Sequence, residues 1–81
     1  NYAYQYGLPG TFAPIADYGL LAKAVDTAKA QGTHVVVGNI LSSDIFYNAD
    51  TTVNDKWRSM GVLAVEMEAA ALYMNAAAAG R

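Results

Sequence analysis

Residues 65–73 (VEMEAAALY) leave this chain few folds to choose from. A short apolar run passes there into an alanine-rich, helix-forming stretch, and two carboxylates flank a methionine at the passage. Burying an unpaired carboxylate costs on the order of several kcal/mol, so Glu66 and Glu68 need a reason to sit there. In extended chain they point to one face, with Val65 and Met67 on the other. A helix that begins at Glu66 changes that geometry, although acids in a first helical turn still suit the dipole. Either way, a carboxylate at such a junction can accept hydrogen bonds from ligand hydroxyls.

Upstream, the pattern alternates. Residues 1–16 are punctuated by Gly7, Pro9, Gly10 and Pro14 and read as loop or irregular edge. Tyr2, Tyr4 and Tyr6 alternate as one strand would present them, either as a binding platform or as ordinary packing. Asp17 is a good N-cap for a helix carrying Leu20, Leu21, Ala24, Val25 and Ala28 at helical spacing, with Lys23 and Asp26 outward and Gly32 as the stop. Residues 33–41 (THVVVGNIL) predict a strand buried on both faces, with a bulge or close approach at Gly38. Asp50 or Thr51 caps a helix through Met60 that turns Val53, Trp57 and Met60 inward and ends at Gly61. Residues 62–65 predict another buried strand, and a last helix runs from about Glu66 to Ala79.

Helix, strand, helix, strand, helix is the order of an α/β protein. Sheets of this class bind ligands beyond the carboxyl ends of their strands. Both unusual clusters, residues 42–47 and 65–68, fall at or just past such ends.

Composition narrows the reading further. Hydrophobic residues make up 54% of 81 and charged residues only 15%, too few charges for the surface of a small independent domain. The apolar faces predict neighbours, as in part of a larger domain. Net charge is −2 and the five basic residues are scattered, which excludes a nucleic-acid track. There is no cysteine and hence no disulfide. No apolar run is long enough to span a bilayer, and no basic leader opens the chain, so a soluble cytoplasmic protein is expected.

Several chemistries fall away. There is no glycine-rich phosphate loop. His34 has no cysteine or acid near it in sequence and reads as a sheet-surface residue, so no metal site is expected. Ser42 and Ser43 lack a histidine base. Glu66 and Glu68 are too close together in one turn to flank a scissile bond as a general acid and base. Binding of polar hydroxyls suits them better, with decoration of a helix start as the plain alternative. Phe46, beside Tyr47, reads as a surface to stack on a flat ring or, more simply, as core, and Asp44 as the cap of its turn rather than a catalytic acid.

Residues 38–47 (GNILSSDIFY) and 61–70 (GVLAVEMEAA), together with the entry 12–17 (FAPIAD), resemble the bacterial hexameric purine nucleoside phosphorylases. The V-E-M-E-A segment alone marks only the wider superfamily; the three together are more specific. The resemblance implies an α/β, three-layer phosphorylase/hydrolase-like fold, with a mixed sheet flanked by helices. Residues 1–81 would be an incomplete single domain, the central to C-terminal part of the family fold. It implies phosphorolysis of purine nucleosides to free base and pentose 1-phosphate, in a homo-hexamer that takes inorganic phosphate as co-substrate and no cofactor. Phe46 would pack on the purine, Val65 and Glu66 would line the base pocket, Met67 would lie against the ribose, and Glu68 would accept from its 2′- and 3′-hydroxyls.

The family's phosphate-binding loop, arginines and serine match nothing in this chain. The same holds for the histidine and arginine that a neighbouring subunit supplies. The acid that protonates the purine is expected beyond Arg81, so no catalytic residue is assigned. Two other readings stand beside this one: a hydrolytic methylthioadenosine or adenosylhomocysteine nucleosidase, and a non-catalytic α/β interaction module.

Overall fold

A computed structural model of the chain describes residues 2–81. Its elements run α1 (Tyr2–Gln5), α2 (Tyr18–Ala30), β1 (Ile40–Ser42), α3 (Val53–Ser59), β2 (Ala64–Glu66) and α4 (Ala69–Ala78). β1 and β2 form a two-stranded parallel sheet, with Ile40 opposite Ala64, Leu41 opposite Val65 and Ser42 opposite Glu66. Parallel neighbours need a crossover, and α3 with its flanking loops provides it. The α/β class therefore holds.

The helix boundaries follow local chemistry. Asp17 is extended and accepts from the Leu20 amide at 2.8 Å, so one orphan donor of α2 is satisfied. Gly32 ends α2 at φ +70°, a conformation that favours glycine. α3 begins at Val53, one or two residues later than a cap at Thr51 or Asp50 predicts. Asp50 takes up the Thr52 amide and hydroxyl at 2.9 and 2.6 Å, and so shapes the turn ahead of the helix rather than capping it.

Other expectations are corrected. The tyrosine strand is absent: Tyr2–Gln5 is a single helical turn, closed where the Gly7 amide donates to the Tyr4 carbonyl at 3.1 Å. Asn1 and the ring of Tyr2 lie outside the described residues. The strand expected over 33–41 is formed only from Ile40 on, because β2 offers just three residues to pair with. Val35, Val36 and Val37 are unpaired and exposed, not buried on two faces, and His34 lies in the same exposed, unpaired stretch. Met60 is 77% exposed, so α3 does not turn it inward. Trp57, also expected inward, is 44% exposed at a cleft lined by Leu41 and Val65.

Gly38 marks a close approach. A Cβ there would meet Leu63 Cδ1 at 2.6 Å, so any side chain at this point would have to push the Leu63 side chain aside. Met74 of α4 is the one buried apolar residue among the described residues. The Tyr6 hydroxyl donates to Asn75 Oδ1 and ties the amino-terminal segment to α4. No described helix is long and apolar enough to cross a membrane.

Candidate functional site

The in-register parallel pairing ends both strands at the same edge, Ser42 on β1 and Glu66 on β2. The loops that follow, 43–47 and 67–68, therefore leave the sheet side by side. This is the carboxyl edge where α/β sheets place their ligands.

Glu66 is consumed by the junction itself. The Ser42 hydroxyl donates to its Oε1, and its Oε2 accepts from the backbone amides of Glu68 and Ala69, each at 2.6 Å. Ser42 Oγ also accepts from the Ala70 amide at 3.0 Å. Three successive amides at the start of α4 are thus satisfied by two side chains from the strand ends, a cap assembled across the sheet. The Ser42 hydroxyl, followed by the Ala69 and Glu68 amides, holds the Glu66 carboxyl below its ordinary value, against the partial burial that pushes it up. With three of its amides already taken, the α4 start is a poor seat for a phosphate.

Glu68 is placed differently. It stands at the N-cap position of α4 with φ −125° and ψ −22°, so strand alternation ends before it. The helix starts at Ala69, not at Glu66. The expected same-face pair of carboxylates is not formed: Glu66 is half-buried and bonded, whereas Glu68 is exposed and its carboxylate has no hydrogen bond or ion pair among the described residues. Two acids two residues apart thus have different surroundings. An open carboxylate at this edge can accept two hydrogen bonds from a vicinal diol.

The neighbouring candidates share the edge. Val65 is half-buried in β2, and Met67 is 43% exposed in the bend between the acids. Phe46 is 45% exposed and meets Tyr47 edge to face, with ring centroids 5.2 Å apart. Its loop is shaped by Ser43, whose hydroxyl donates to the Ile45 carbonyl at 2.8 Å and accepts from the Ile45 amide at 3.1 Å. The turn cap expected of Asp44 is therefore supplied by Ser43. Ser42, which the sequence offered only as a nucleophile without a base, is instead part of the cap of α4. Its bond to Glu66 spans 24 residues and follows from register, which one sequence does not display.

The profile of the phosphorylase superfamily matches residues 1–81, the whole of the sequence. The chain belongs to the phosphorylase superfamily. Among curated relatives of this superfamily chain is a protein of Shewanella frigidimarina named purine nucleoside phosphorylase DeoD-type. It is 56% identical over 62 residues, which cover 76% of this chain and 26% of the relative. A protein of the same name from Clostridium novyi is 55% identical over 62 residues, 76% of this chain and 27% of its own. Purine nucleoside phosphorylase DeoD-type 2 of Vibrio vulnificus is 48% identical over 66 residues, 82% and 28% of the two chains. The chain spans about a quarter of the length of these relatives.

Proposed function

We propose that this chain is part of a purine nucleoside phosphorylase and supplies the wall that holds the base and the sugar. In the reaction the C1′–N9 bond breaks, its electron pair leaves with the purine, which takes up a proton, and a phosphate oxygen bonds to C1′. Glu68 accepts the 2′- and 3′-hydroxyls, Met67 lies under the ribose, and Phe46, Val65 and the Glu66 segment line the base. A carboxylate gripping the sugar orients it and favours positive charge on the ring as the bond breaks.

The observation that carries this reading is Glu68, without a partner among the described residues, at the carboxyl edge of a parallel sheet beside a bonded Glu66. Identity of 48–56% to proteins named purine nucleoside phosphorylase supports it. The same reading takes the parent as a three-layer protein with a mixed sheet flanked by helices, of which residues 1–81 are an incomplete domain. It also takes the parent as a cytoplasmic homo-hexamer using phosphate and no cofactor, with phosphate bound by segments other than the start of α4.

The test is base release from purine ribonucleosides by the full-length protein, with and without phosphate. Strict phosphate dependence is expected, and Glu68→Gln should lower kcat/KM by about 10- to 100-fold, the scale of hydrogen bonds to a charged group. Equal release without phosphate would make the protein a hydrolytic nucleosidase. No release by an active-site-complete protein would leave an interaction module.

A further inference from the structure

We infer that Ser42 and Glu66 act as a positioning pair that sets where the Glu68 carboxylate stands. The inference rests on the reading of Glu68 as the sugar-binding acid. It deepens that reading by moving Glu66 from the ligand side of the site to its support.

Glu66 has little left to offer a ligand. One carboxylate oxygen takes the Ser42 hydroxyl, and the other takes two amides at 2.6 Å. One of those amides belongs to Glu68, so the same bond that satisfies Glu66 fixes the backbone from which the Glu68 side chain leaves. Ser42 completes the frame. It receives the Ala70 amide at 3.0 Å and so holds the first turn of α4 from a different strand, 28 residues away in sequence. The pairing of β1 with β2 carries the same lock in the backbone, through the Ser43 amide on the Glu66 carbonyl at 2.9 Å.

The contrast between the two acids gives the arrangement its sense. A solvated glutamate in a bend samples many rotamers, and ordering it on a sugar costs side-chain entropy. A fixed backbone at Glu68 lessens the reorganisation needed to meet two hydroxyls at once. Removing the Ser42 hydroxyl frees one Glu66 oxygen and leaves the Ala70 amide without its acceptor, which loosens the turn under Glu68. The loss should then fall on substrates that carry the hydroxyls Glu68 reads, and not on those that lack them.

The experiment compares a purine ribonucleoside with its 2′,3′-dideoxy analogue in the full-length protein, with phosphate saturating. Ser42→Ala should raise KM for the ribonucleoside about tenfold, the scale of one hydrogen bond to a charged group, and leave KM for the dideoxy analogue unchanged. Ser42→Thr should restore the wild-type value. In a Glu68→Gln background Ser42→Ala should add nothing, the non-additivity expected of residues acting through one another. Glu66→Gln, which keeps the side chain's length and one acceptor oxygen, serves as second variant and should lose the same selectivity. Equal losses on both substrates, or no loss, would overturn the positioning role and leave the phosphorylase reading intact. A wild-type protein with no phosphate-dependent turnover would overturn the phosphorylase reading and, with it, this inference.

Discussion

At the scale of single residues, the chain separates two neighbouring glutamates by what surrounds each. Glu66 is ionised because a hydroxyl and backbone amides point at it, and this has a pH signature. Its carboxyl sits below the ordinary value near 4.5, so on acidification the unfolded chain takes up the proton first. The stabilisation is complete above that ordinary value and is lost as pH falls through the lower folded value. Protection of the Ala69 amide, its exchange rate relative to an unstructured chain at the same pH, should therefore be high at neutral pH in the full-length protein and fall below about 4.5, the unperturbed range of a glutamate. In Glu66→Gln that acid-side loss of protection should be absent. Ala69 protection that does not change with pH in the wild type would rule out Glu66 as the cap of α4.

At the scale of elements, α2 rests on the plainest chemistry. Asp17→Ala removes the acceptor for the Leu20 amide and should weaken the first turn of α2 by about 1 kcal/mol, read as faster amide exchange there. Asp17, the helical spacing after it and Gly32 were all legible in the sequence, because capping and stopping depend on residues next to the element. The α/β order and the carboxyl-edge position of both clusters were legible for the same reason. Strand extent was not. Three valines in a row carry β propensity, yet a strand exists only where a partner offers amides, and β2 offers three residues. Within the site, the sequence marked Glu66 and Glu68 as unusual without distinguishing them, because Ser42 and the register that brings it to Glu66 are non-local. Phe46, Val65 and Met67 came from resemblance to a family, and their shared edge is what the sheet adds.

At the scale of the whole molecule, the surface is too large for the mass. The chain exposes 6704 Å², whereas a folded monomer of this mass exposes about 4,700 Å². Its radius of gyration is 14.9 Å, against about 12 Å for a globular chain of this length. Large apolar residues such as Ile15, Leu20, Met60 and Leu72 are more than 60% exposed. The 81-residue chain studied alone should accordingly bind a hydrophobic dye, melt without a sharp transition and show no phosphorolysis. A cooperative melt without dye binding would mean that these residues find partners within the chain. The few backbone ties between distant segments, β1 to β2 above all, then have a consequence for the order of assembly. The Ser42–Glu66 bond spans the crossover, so it cannot close until α3 and its loops have brought the strand ends together. Helices α2 and α4 can form from nearby residues, while the acid frame waits for this slow closure. A nascent chain can therefore look mostly helical by spectroscopy while the bond between Ser42 and Glu66 is still unmade. The frame around Glu66 is complete only when the last loop shuts.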